Sequence, residues 1–339
     1  MSSLRIAFGR RWIGALALAA VAACAAGVIA FSLRAGPPAE SDGPWGADYF
    51  PNVPLVTQDG KKVRFYDDLI KGKVVAVNFI FTGCSASCSM ETARLREVQE
   101  ILGERMGSDV FFYSITIDPD NDTPQELARY AKKFNVGPGW VFLTGKNEDI
   151  TLLRDKLGLY MPAIQQGVKD HNLSLIIGNQ STGRWMKSSP FENPHILATQ
   201  LGSWLHNWKL PGDQETNYAN APTQMRQMSS GQALFRTRCA SCHVVADRGN
   251  ALTAQTSIGP DLTGVTARRD RAWLARWIKE PDRMLAEKDP LAMAMYAEYN
   301  ELAMPNLRLT DAEVTELLAY LDEVGRPDER QPTPVALQE

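Results

Sequence analysis

Residues 73–88 read Lys-Val-Val-Ala-Val-Asn-Phe-Ile-Phe-Thr-Gly-Cys-Ser-Ala-Ser-Cys, and the reading of this stretch decides the fold of the first half of the chain. Residues 73–81 form a continuous apolar run rich in β-branched and aromatic side chains, the pattern of a central strand buried on both faces. Two thiols follow directly, Cys84 and Cys88. Residues 89–104 then carry Met90, Leu95, Val98 and Leu102 at helical spacing. A buried strand that passes through a dithiol into a helix is the opening of an α/β unit.

On the N-terminal side, residues 53–57 and 62–66 flank Asp59-Gly60, a hairpin signal. On the C-terminal side, residues 110–117 predict a second buried strand. Thr123-Pro124-Gln125-Glu126 is a capping box with proline at the first helical position, which predicts a helix to about Phe134. A strand over 140–143, a helix over 147–157, a second hairpin (172–177 and 183–187) and a helix over 194–208 complete the series. This succession predicts a thioredoxin-like α/β domain over residues 49–208.

The rest of the chain divides by composition. Residues 12–33 are 22 residues without a charge, long enough as a helix to cross the ~30 Å hydrocarbon core of a bilayer. Arg5, Arg10 and Arg11 precede this segment, so a transmembrane helix here keeps the N-terminal tail cytoplasmic and places both later domains on the periplasmic, extracytoplasmic side of the membrane. Val21-Ala22-Ala23-Cys24 also allows a lipoprotein signal, and small-x-small sites allow cleavage; every reading exports the bulk of the chain. Residues 36–48 are a Pro-, Gly- and acid-rich tether. Residues 209–227 read as a linker, residues 228–325 as an all-helical domain, and residues 326–339 as a disordered tail.

The length of 339 residues suits about two domains. A net charge of −3 lacks the basic excess of a nucleic-acid binder. A mean hydropathy of −0.24 excludes a polytopic membrane protein. Five cysteines are too few for a disulfide scaffold, so their spacing carries the information.

Cys239-Ala240-Ser241-Cys242-His243 is the most specific motif. Its two thiols can add across the vinyl groups of a haem, and the imidazole one residue on can bind the iron, giving one covalent haem c. A zinc site would need further Cys or His partners, and this domain has none. Met304, in Ala303-Met304-Pro305, lies in a proline-broken stretch about sixty residues after His243 and is the predicted second axial ligand. Met284, Met293 and Met295 compete from helical or acidic contexts. The segment resembles a class I cytochrome c: Gly231 to Phe235 opens the helix before the cysteines, and Gly259-Pro260-Asp261-Leu262 resembles the loop whose proline carbonyl orients the proximal histidine. Trp277-Ile278 resembles the helix lining the pocket, and residues 311–324 the C-terminal helix packed on the N-terminal one. With both axial positions filled, the domain reads as an electron-transfer module.

Cys84 and Cys88, four apart at a helix N-terminus where thiol pKa values fall, suit either a reversible disulfide or two thiolates on one soft metal. His171, in Lys169-Asp170-His171-Asn172, decides between them; His195 and His206 sit on the terminal helix with Trp204 and Trp208 and read as structural. Here residues 49–208 resemble the Sco/SenC family of copper proteins. The resemblance rests on residues 78–82 with Cys84 and Cys88, on Ser114-Ile115-Thr116-Ile117-Asp118-Pro119 with Asp122-Thr123-Pro124, and on Asp170-His171. It implies copper, as Cu(I) or Cu(II), bound by Cys84, Cys88 and His171. It implies a role in assembling the binuclear copper centre of cytochrome c oxidase, with the oxidase subunit carrying that centre as partner. Other c-type cytochromes are candidate partners for the haem. Ser89 departs from the family, which usually has proline after the second cysteine.

Two rival functions fit the same residues, a thiol-disulfide oxidoreductase using Cys84 and Cys88, and a redox or copper sensor. A disulfide reductase does not need His171. A sensor needs an output surface, and the cluster of Arg268, Arg269, Arg271 and Arg276 reads as a solvated face.

Overall fold

The computed structural model of the chain describes residues 45–84, 87–160, 172–206, 228–245 and 256–325. The predicted membrane helix with Cys24, the start of the tether, His171, the linker 209–227 and the tail 326–339 lie outside the described residues. Among the described residues no helix is long and apolar enough to cross a membrane. From Ala47 onward the chain forms one compact unit.

The first domain is built on strands β1 (Pro54–Thr57) and β2 (Lys62–Arg64), strand β3 (Val74–Ile80), helix α1 (Ser87–Leu102), strand β4 (Val110–Thr116), helix α2 (Pro124–Lys133), strand β5 (Trp140–Gly145), helix α3 (Asn147–Lys156), strands β6 (Leu175–Asn179) and β7 (Arg184–Ser188), and helix α4 (Pro194–Gly202). They form a seven-stranded mixed sheet of order β2-β1-β5-β4-β3-β6-β7. The three inner strands β3, β4 and β5 are parallel, and the hairpins at both edges are antiparallel.

All seven residues of β3 are buried, as its unbroken apolar run requires. Val74, Ala76 and Ile80 pack with Leu95, Val98 and Leu102 of α1 and with Leu197 and Leu201 of α4. Val75, Val77 and Phe79, on the opposite side, are 0–2% exposed. Thr123 caps α2, its hydroxyl accepting from Glu126 N. Glu126 does not return the bond of a full capping box; its carboxylate pairs with Arg129.

Two predicted elements shift. The second hairpin turns at Gln180–Gly183 rather than from Gly178, because Gly178 pairs with Trp185 and the indole lies across it. The last helix stops at Gly202 and tightens into a single turn over Trp204–His206. Asn179 Nδ2 and Thr182 Oγ1 both donate to Leu205 O at 3.0 Å, drawing that turn onto the hairpin.

The second domain is helical: α5 (Ser230–Leu234), a wider turn over Phe235–Cys239, then α6 (Val265–Arg268), α7 (Arg271–Lys279), α8 (Pro281–Ala286), α9 (Pro290–Glu298) and α10 (Asp311–Val324). Side chains of Ser229, Asp270, Asp289 and Thr310 cap four of these helices. Helices α5 and α10 cross at Gly231, where a Cβ would stand 2.1 Å from Glu316 O. One turn on, the rings of Phe235 and Tyr320 lie 5.7 Å apart. The crossing fixes the chain leading to Cys239 against the last helix.

Candidate functional site

Cys84 and Cys88 lie beyond the carboxyl end of β3, the edge at which parallel α/β sheets bind their ligands. Cys84 sits in the turn before α1, at the N-terminal end of the helix, held by Cys84 N donating to Phe81 O at 3.2 Å. Its sulfur accepts from Cys88 N at 3.4 Å, in the manner of a helix cap. Cys88 is fully buried and Cys84 partly exposed, so Cys84 is the thiol that faces outward. The expectation of a lowered thiol pKa fails at Cys88. Its hydrogen bond with the Cys84 side chain, then burial, push that thiol well above its ordinary range.

Two polar cages hold this turn. Asp122, buried in the turn between β4 and α2, accepts from Thr82 N at 3.1 Å and from the hydroxyls of Thr82 and Thr116. Beneath the dithiol, Trp140 Nε1 donates to Ser114 Oγ at 2.9 Å and Ser114 Oγ to Asn78 Oδ1 at 2.7 Å. Asn78 Nδ2 in turn donates to Glu91 Oε1 at 2.7 Å. Glu91 is fully buried, and its other oxygen has no hydrogen-bond partner among the described residues. Burial, opposed by Asn78 and reinforced by the charge of Cys84, pushes its carboxyl up to about 8. Tyr130, on α2, closes the far side, donating to Cys88 O at 3.3 Å.

Sequence reasoning missed Glu91, since an acidic residue on a helix reads as solvated. Its only signal was indirect: Asn78 and Ser114 are polar residues inside runs predicted to be buried strands, and such residues need partners. Among the described residues no group of three His, Cys, Asp or Glu side chains could hold a metal; the third predicted ligand, His171, lies outside them.

In the second domain, His243 Nδ1 donates to Pro260 O at 3.0 Å, which fixes the tautomer and leaves Nε2 for a ligand bond. Burial pushes the imidazole below its ordinary pKa, so it stays neutral. Ser257 Oγ braces the same loop, donating to Cys242 O at 2.5 Å, and Gly259 approaches so closely that a Cβ would stand 2.7 Å from His243 Cε1. Two adjoining hollows both reach His243 and Met304. Cys239 lines one and Cys242 the other, and burial raises these thiols to about 12 and about 11.

An apolar slot with a fixed neutral imidazole, a thioether and two adjacent buried thiols fits haem c. Met295, on α9, reaches both hollows as well, whereas Met284 is packed in the core and Met293 is exposed. Arg268, Arg269, Arg271 and Arg276 are all exposed, as a solvated face requires, and Arg268 and Arg269 also border the second hollow.

The fold and these two sites define a dithiol-bearing thioredoxin-like domain followed by a c-type cytochrome domain. The sequence profile of the SCO1/SenC family matches residues 46–205, and that of cytochrome c matches residues 228–325. A SCO2-like protein of Rickettsia conorii is 32% identical over 156 residues, 43% of this chain and 74% of that protein. A SCO1 homologue of Bacillus subtilis is 36% identical over 92 residues, covering 27% of this chain and about half (46%) of the relative. The solved cytochrome c domain of a Pseudomonas putida protein is 61% identical over 27% of this chain and 85% of its own length, with a TM-score of 0.25. The chain belongs to the SCO1/SenC family and carries a C-terminal cytochrome c domain.

Proposed function

We propose that this protein is an exported, membrane-anchored copper metallochaperone that serves assembly of the binuclear copper centre of cytochrome c oxidase. Copper is its cargo. The carrying observation is the pairing of an outward-facing Cys84 with a buried Cys88 at the carboxyl end of the central strand. A pair of soft thiolates with an imidazole from His171 suits Cu(I) and tolerates Cu(II). Copper displaces the thiol protons as it binds, which offsets the raised pKa of Cys88. Cys84, on the turn, is the ligand a receiving protein reaches first, and the Asp122 cage keeps the turn in place as copper leaves.

In the second domain Cys239 and Cys242 would attach the haem and His243 and Met304 would hold its iron, with Pro260 O fixing the orientation of His243. When bound, the haem would supply one-electron exchange, which matches the Cu(I)/Cu(II) couple directly, whereas setting the state of the two thiols would take two such electrons, passed one at a time with other c-type cytochromes as the source or sink. The proposed location is the cytoplasmic membrane, single-pass, with both domains on the periplasmic side and other c-type cytochromes as redox partners.

A second reading is favoured by Glu91. A buried, partly unpaired carboxyl beneath a dithiol is a proton acceptor suited to thiol-disulfide exchange with a partner's disulfide. An anaerobic Cu(I) titration of the haem-loaded protein against a competing chelator separates the readings. The metallochaperone binds one tight equivalent, and His171→Ala weakens it by at least about tenfold, the cost of losing even a supporting group around a metal. Weak binding, or binding indifferent to His171, would instead make the dithiol the working group.

A further inference from the structure

The two domains meet on α1, beside the residues that carry their chemistry. One residue beyond Cys88, Ser89 and then Met90 line the same hollow as His243 and Met304. Ile258 is buried within the core of the first domain, and Cys242 and Leu302 pack against that core at its rim.

Arg94, one turn further along α1, has a side chain only 10% exposed and pairs with Glu97 at 2.9 Å. Its other terminal nitrogen crosses to the second domain and donates to Thr237 O at 2.8 Å, two residues before Cys239. The Arg94 charge is felt at both Cys239 and Cys242. At the end of α2, Lys133 Nζ donates to Glu301 O at 3.2 Å, three residues before Met304. A guanidinium is buried at tolerable cost only when its donors are engaged, and here one of its partners belongs to the other domain.

We propose that residues 89–97 of α1, with Lys133, are the docking surface for the haem edge at Cys242 of this chain's own cytochrome domain, and that Arg94 is the latch. Closed, the arrangement seats that edge against the dithiol helix and shields it from redox partners in solution; open, it exposes the edge to them. Ser89 stands at the wall between the two sites, where the family usually has proline. The inference rests on attachment of haem at Cys239 and Cys242 and is independent of whether the dithiol carries copper.

The test uses the full haem-loaded chain in contrast-matched detergent, as wild type, Arg94→Ala and Lys133→Glu. Small-angle neutron scattering reads the separation of the domains. The outer-sphere probes ferricyanide and hexaammineruthenium, of opposite charge, read access to the haem edge. The expected wild type is compact. Each variant lengthens the maximum dimension and makes the haem react faster with both probes, by about tenfold for Arg94→Ala, which removes the bond to Thr237 O and leaves the Glu97 carboxylate without its partner.

An extended wild type would overturn the proposal, as would variants that leave scattering and rates unchanged. Rates that move in opposite directions with probe charge would reduce Arg94 to a local electrostatic effect and also overturn it. Lys133 is only half-buried, so Lys133→Glu carries the test if Arg94→Ala does not fold. Absence of covalent haem would overturn the haem reading alone, and the scattering would still decide the docking.

Discussion

Glu91 and Cys88 are three residues apart on α1, and the environment of each departs from what its residue type suggests. The carboxyl of Glu91 is lifted from its ordinary 4.5 to about 8. Between those values the folded protein binds a proton that the unfolded chain has released, so stability falls as pH rises from about 4.5 to about 8. Glu91→Gln keeps the bond to Asn78 and removes the titration. In the metal-free, reduced protein the variant should therefore flatten this decline, losing less stability than wild type between pH 5 and pH 8 in denaturant unfolding. An unchanged slope would mean that Glu91 is ionised throughout. The thiol spacing was legible in the sequence; the carboxyl was not, because its burial comes from β3, β4 and α2 closing over it rather than from any local pattern.

At the scale of elements, the crossing of α5 and α10 and the loop carrying Met304 set the second domain. Gly231→Val drives a side chain into the Glu316 carbonyl, and overpacking of this kind costs about 1–3 kcal/mol. It should lower the denaturation midpoint of the haem-loaded protein without changing the chemistry at His243. Met304→Ala should abolish the charge-transfer band of sulfur-ligated ferric haem, and Met295→Ala should leave it intact. The reverse result would move the ligand to α9. Capping signals and hydrophobic runs located the helices and strands well. The ends of the second hairpin and of α4 were misread, because Trp185 over Gly178 and the bonds to Leu205 O are made by residues far from those ends. The capping box at Thr123 was half formed for a related reason, since Glu126 found Arg129 instead.

For the whole molecule, the docking of one domain on the other is the feature with consequences for folding. Ile258 shares the first domain's core, and Arg94 and Lys133 cross the boundary, so unfolding of either domain strips contacts from its neighbour. The haem-loaded chain should unfold in one calorimetric transition, and Lys133→Glu should broaden or split it as the coupling weakens. Two well-separated transitions in the wild type would mean that the domains are energetically independent.

The sequence by itself determined the two-domain plan, the strand-dithiol-helix opening, and the residues whose chemistry is spelled by short spacing, Cys84 with Cys88 and Cys239-x-x-Cys242-His243. These are local properties: periodicity, caps and neighbouring reactive groups are written within a few turns of chain. Only the tertiary structure decided that Cys88 is buried while Cys84 faces out, that Glu91 lies beneath them with one of its two carboxylate oxygens unpaired among the described residues, and that Arg94 reaches the carbonyl of Thr237, two residues before Cys239. Burial and desolvation depend on which distant surfaces close over a residue, and no single segment of sequence contains both sides of such a contact.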